Sequence, residues 1–138
     1  MDFIYQDPYP ILKDDTHYKK ISSDFVKVEQ LGDREIVTVD PKGLELLAQE
    51  AMNDVSFMLR TAHLQKLNNI LNDPEATDND RFVAYNLLQN AVVAVEGQLP
   101  SCQDTGTAIV MAKKGENVYT GADDAEWLSK GIFNTYQN

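Results

Sequence analysis

The stretch from Asp40 to Leu71 constrains the fold of this chain more than any other part of it. Asp40 is a good N-cap, and Pro41 suits the first helical position, where its missing N–H costs nothing. Leu44, Leu47, Ala48, Ala51, Val55, Met58 and Leu59 then recur at spacings of three and four, which puts them on one side of a helix. The stripe resumes at Leu67, Ile70 and Leu71 before Asp73-Pro74 stops it. Between the two parts, a break near Arg60–His63 is compatible with the pattern, but the local residues do not place it. A second helix follows, capped by Thr77 or Asp78, with Asp80 in its first turn and Gly97 at its end. Its stripe is Val83, Leu87, Leu88, Ala91, Val92 and Val95. The two helices read as an antiparallel pair joined by a short acidic loop. Glu75 to Asp80 lacks the ligand rhythm of a calcium loop, so it reads as a cap and a solvated loop.

Strands flank this helical pair. Phe25-Val26-Lys27-Val28-Glu29 and Glu35-Ile36-Val37-Thr38-Val39 alternate apolar and polar side chains around a Leu31-Gly32-Asp33-Arg34 turn, which predicts a hairpin whose apolar face covers the first helix. Residues 1–17 read as extended and loop-like, with prolines at 8 and 10 and a turn at Asp14-Asp15-Thr16. Further on, Thr107–Lys113 and Val118–Thr120 predict a second hairpin around Lys114-Gly115-Glu116-Asn117. Gly121 leads into a last helix with Trp127, Leu128 and Ile132 on one face and Asp123 and Asp124 at its N-terminal end, where carboxylates act as caps. That helix runs to Asn138 with no basic last turn and no glycine or proline to stop it, so the chain reads as cut rather than finished. The expected fold is α+β: long amphipathic helices packed with short antiparallel strands, residues 1–138 forming a single domain.

Charge and cysteine content then exclude several classes. A net charge of −10 over 138 residues disfavours nucleic acid and anionic membrane surfaces, both of which call for clustered Lys and Arg. One cysteine rules out an internal disulfide framework. No apolar run approaches the ~20 residues that cross a bilayer, and the opening residues carry neither a basic nor an apolar signal segment, so a cytoplasmic location is expected.

That cysteine sits in the most chemically dense stretch, Leu99-Pro100-Ser101-Cys102-Gln103-Asp104-Thr105-Gly106-Thr107-Ala108. A thiol, an amide, a carboxylate and hydroxyls crowd a loop that enters a predicted strand, a common way to present chemistry from a rigid edge. Taken alone, the pattern leaves two readings open: a small buried core residue, or a ligand or nucleophile. His63 is likewise either a site residue or a solvated helix histidine, and Arg60 beside it has no assigned role.

The residues from Cys102 to Ala108, followed by Lys113-Lys114-Gly115 and Thr120-Gly121, closely resemble the iron–sulfur (class I) fumarate hydratases. The resemblance also takes in Tyr5-Gln6-Asp7-Pro8-Tyr9-Pro10, Ser56-Phe57-Met58-Leu59-Arg60 with His63, Asp73-Pro74-Glu75-Ala76 and Asn134-Thr135-Tyr136. It therefore runs the length of the chain. Departures are small: Ala112 and Ala122 stand where the family usually has glycine, and Asp123–Glu126 differ.

The resemblance implies a lyase that reversibly hydrates fumarate to L-malate in the tricarboxylic acid cycle, acting in a homodimeric parent enzyme. In that family three cysteines hold a 4Fe-4S cluster and leave one iron open. Cys102 matches the first of these ligands, and Gln103 and Asp104 match residues that bind the substrate. The other two cysteines, the acid/base threonine and several basic substrate ligands lie in the family's later sequence. The resemblance thus implies an N-terminal fragment with no catalytic residue of its own, expected to bind no cluster and to be inactive without the rest of its polypeptide. A dehydratase for L-tartrate or a related hydroxy-diacid would share the same core, and a non-catalytic interaction domain would share the fold. Asp104-Thr105-Gly106 is also the triplet of aspartic proteases, but their strand-rich fold does not suit the helices that precede it here.

Overall fold

A computed structural model describes residues 3–7, 10, 17–102 and 107–137 of the chain. Its elements run β1 (Val26–Leu31), β2 (Arg34–Val39), α1 (Pro41–Phe57), α2 (Thr61–Leu71), α3 (Asp78–Ala94), β3 (Val118–Tyr119) and α4 (Asp124–Gln137). This is the mixed α+β class expected from the sequence.

Strands β1 and β2 pair antiparallel from Val26↔Val39 to Leu31↔Arg34 across a two-residue loop. Gly32 takes φ 61 there and Asp33 does not turn positive, the φ signature of a II′ turn, which matches the right-handed twist of the flanking strands. Central strand β2 also pairs with β3, in parallel, through Val37↔Val118 and Thr38↔Tyr119. A parallel pair needs a long crossover, and helices α1 to α3 supply it.

Asp40 caps α1 by accepting from the Lys42 N–H at 2.9 Å, with Pro41 at the helix start. The break in the long stripe falls at Met58–Arg60, where both Met58 (φ −123, ψ 132) and Arg60 (φ −62, ψ 139) are extended. No glycine or proline causes it. Ser56 Oγ bonds back to the Met52 carbonyl at 2.8 Å, and the Ser56 carbonyl accepts from Ser101, 45 residues away, instead of continuing the helical ladder. Thr77 heads α3 in a full capping box: its side chain accepts from the Asp80 N–H at 3.2 Å, and the Asp80 carboxylate accepts from the Thr77 N–H at 2.9 Å. Of the long Asp40–Leu71 stretch expected to pair with the next helix, only α2 packs on α3, with Ala84, 1% exposed, beside Leu67 and Ile70; α1 packs elsewhere.

The main cover of α1 is α4 rather than the hairpin. Gly131 is buried at their crossing. A Cβ there would lie 2.1 Å from the Glu45 carbonyl oxygen, so only glycine permits this approach. Thr135 Oγ1 donates to the Gln49 carbonyl at 3.0 Å, and Asn134 Nδ2 donates to Glu45 Oε1 at 2.8 Å, tying the same faces together. The hairpin touches α1 at its start, where Phe25 and Val39 crowd Gly43. All of β1 stays exposed.

One expectation fails outright. Residues 107–115 form no strand, and there is no second hairpin. Ile109, Val110 and Met111 instead line a groove of about 730 Å³ beside Leu47, Ala51 and Val55 of α1, with Ile109 71% and Met111 72% exposed. Their β-branched pattern has the right composition for a strand, but a strand also requires a neighbouring ladder. Among the described residues, β2 pairs with β3 instead. The turn foreseen at Asp14–Thr16 lies outside the described residues.

Candidate functional site

The approach to Cys102 is built from three separate elements. The carbonyl of Ser56, at the C-terminal end of α1, belongs to the last turn, whose carbonyls have no helical partner. Ser101 fills it twice, with its backbone N–H at 2.8 Å and its Oγ at 3.1 Å. From the other side, Asn90 on α3 donates its Nδ2 to the Ser101 carbonyl at 2.6 Å. Both polar groups of the Ser101 backbone and its hydroxyl are thereby fixed, one residue before the thiol. Cys102 itself is exposed. Within the described residues it is not part of a buried core.

Gln103 and Asp104 lie outside the described residues. Arg60 stands at the N-cap position of α2 and His63 in its first turn, both exposed; the His63 N–H is spent on the Arg60 carbonyl at 2.9 Å.

Downstream of the motif, two ion pairs hold the segment that carries Lys113 and Lys114. Lys113 Nζ pairs with Asp7 at 2.8 Å, which brings the opening residues to the same region as the motif's downstream arm. Lys114 pairs with Asp124, whose other oxygen accepts from the Thr120 hydroxyl. The Lys114 ammonium, and then the Thr120 hydroxyl, hold the Asp124 carboxyl below the usual aspartate value. Thr120 is 8% exposed. Of the two aspartates read as caps, only Asp123 acts as one, accepting from the Ala125 N–H at 3.0 Å. Asp124 is a tether between the 113–121 segment and α4.

Sequence reasoning missed the parts that act over distance: Ser56, Asn90 and Ser101 as a brace, and Lys114–Asp124–Thr120 as a knot. Asn90 carried one faint signal, an amide set among the apolar positions of α3. Nothing local marked Ser56.

Residues 45–138 match the family model described as fumarate hydratase (fumerase). The chain belongs to the fumarate hydratase family. It is 52% identical over 134 residues to the anaerobic class I fumarate hydratase of Escherichia coli K12, an alignment covering 97% of this chain and 24% of that relative. The aerobic class I enzyme of Salmonella typhimurium is 50% identical over 97% of the chain and 23% of its own length. Fumarate hydratase 2 of Leishmania major is 45% identical over 88% of the chain and 22% of its own length. The chain thus spans about a quarter of the curated relatives it matches.

The described residues offer one thiol, that of Cys102, to any metal centre. Thiolate is the ligand that iron–sulfur centres take, and Cys102 offers one on an accessible, braced loop. No group of three His, Cys, Asp or Glu side chains among the described residues is placed to hold a metal ion.

Proposed function

We propose that this chain is the N-terminal part of the iron–sulfur domain of a class I fumarate hydratase, a lyase that adds water across the double bond of fumarate to give L-malate. What carries the reading is the alignment over 97% of the chain with an enzyme of that name, joined to a family match whose range includes Cys102, Gln103 and Asp104. Cys102 is one of three thiolates for a 4Fe-4S cluster, the other two coming from later sequence. When bound, the cluster supplies an open iron that acts as a Lewis acid on the substrate hydroxyl and a carboxylate.

The chain's own residues have distinct tasks. The Gln103 amide is neutral and donates to one substrate carboxylate without attracting protons. A charged Asp104 would repel a dianion, so it accepts from the malate hydroxyl, or sits protonated or paired with a cation. The brace of Ser56, Ser101 and Asn90 keeps the cysteine in place. The substrate is a small dicarboxylate. The parent works in the tricarboxylic acid cycle in the cytoplasm as a homodimer, and the 138 residues alone neither bind the cluster nor turn over.

The test is a substrate panel on the full-length parent, reconstituted anaerobically with iron and sulfide. Loss of fumarate absorbance with malate formed in equal amount supports the assignment. Dehydration of L-tartrate without turnover of fumarate would keep the family and replace the substrate.

A further inference from the structure

We infer that Asn90, an exposed side chain on α3, is a positioning residue for the cluster ligand Cys102; the inference rests on the reading of Cys102 given above. The Ser101 carbonyl can only accept a hydrogen bond, so the Asn90 amide nitrogen must face it, at 2.6 Å. In a trans peptide the C=O and the following N–H point in opposite directions. Holding the Ser101 carbonyl toward α3 therefore turns the Cys102 N–H away from α3 and sets the plane from which the Cys102 side chain departs. The rest of Ser101 is held by the Ser56 carbonyl, through the backbone N–H at 2.8 Å and Oγ at 3.1 Å. The peptide that joins Ser101 to Cys102 is thus clamped between the end of α1 and the middle of α3. Of these contacts, only the Asn90 bond fixes the rotation of that peptide; the Ser56 bonds fix the residue before it.

Outer partners of this kind orient a metal ligand, and losing one costs about tenfold to a hundredfold in metal retention or activity. Asn90 is exposed and Ser101 half-buried in the described structure. Asn86, one turn earlier, provides a matched control: it too is an exposed α3 asparagine, but its Nδ2 bonds to the Phe82 carbonyl of its own helix at 2.7 Å.

The test uses the full-length parent, reconstituted anaerobically, in five forms: wild type, Asn90→Ala, Asn90→Gln, Asn86→Ala and Cys102→Ser. Iron loss to a chelator and the electron paramagnetic resonance spectrum of the reduced cluster are read on each. The expected result is iron loss about tenfold faster and a broadened spectrum in Asn90→Ala. Asn86→Ala should match wild type, and Asn90→Gln, which keeps the donor, should recover part of the retention. If Asn90→Ala matches wild type in both readouts while Cys102→Ser loses its cluster, Asn90 does not position the ligand. If Asn90→Ala and Asn86→Ala fall equally, the effect is one of helix stability, and the inference also fails. If Cys102→Ser keeps the full cluster and its spectrum, the reading of Cys102 is wrong and the role of Asn90 falls with it.

Discussion

Gly131→Ala puts a Cβ 2.1 Å from the Glu45 carbonyl oxygen, 2.8 Å from the Ala48 Cβ and 3.0 Å from the Gln49 nitrogen. Two of these atoms belong to the α1 backbone, which cannot swing aside as a side-chain tip would. Carbon–oxygen contacts settle near about 3.3 Å, so α4 must back away by about an ångström. Overpacking of this kind costs about 1–3 kcal/mol. The retreat also strains the Thr135 bond to the Gln49 carbonyl, worth about 1 kcal/mol. Against this, alanine gains about 1 kcal/mol over glycine in a helix interior. The clash wins, leaving a net loss of about 2 kcal/mol. For a chain of this size that is a fall of roughly 8 °C in Tm. The assay is thermal and urea unfolding followed by Trp127, the one tryptophan of the chain, which lies on α4 itself. Ser129→Ala, on the exposed side of the same helix, isolates the propensity gain and should be neutral or slightly stabilising. A Gly131→Ala protein as stable as the parent would refute the close crossing of α1 and α4.

Two smaller effects follow from the caps and the tether. Thr77→Ala removes the capping box of α3 and should cost about 1 kcal/mol in urea unfolding, where a loss within error would mean the Asp80 side of the box suffices. Asp124→Asn tests the tether by its pH dependence. Lys114 and Thr120 depress the folded carboxyl, so its contribution is present above the unfolded aspartate value, about 3.9, and disappears as pH falls through the lower folded value. The stability gap between Asp124→Asn and wild type should therefore be open at neutral pH and close in strong acid. A gap of constant size would show that the carboxylate charge contributes nothing.

Local signals in the sequence were read correctly where one turn of helix decides the outcome. The Asp40-Pro41 start, the Thr77 cap, the Gly32 turn and the glycine with φ 74 at position 97 all depend on neighbours within four residues. What failed depends on residues far apart in the chain. The end of α1 is set by Ser101, the pairing of β3 by β2 across three helices, and the fate of 107–115 by the lack of a ladder next to it. Asp124 illustrates the same limit: an acidic residue at a helix start is read as a cap, and only the folded chain brings Lys114 and Thr120 to it.

At the candidate site, the motif around Cys102 pointed to the family, but the residues that hold it did not stand out. Ser56 and Asn90 are ordinary helix residues until the loop folds over them. The molecule is also unusually open for its size. Ala48, Ala84 and Ala94 are its buried apolar residues among those described, while Val55, Val92 and Ile109 stay more than half exposed. Large apolar side chains left in water at this density mark surfaces that meet other protein. That agrees with a chain spanning about a quarter of the length of its relatives.

The most direct test of the account is to compare wild type and Cys102→Ser in the full-length parent, purified anaerobically, measuring iron and acid-labile sulfide alongside fumarate hydration. Wild type should carry a complete cluster and form malate, and the serine variant should lose both together. A variant that keeps its iron, sulfide and rate would make Cys102 a bystander and contradict the assignment on which the site rests.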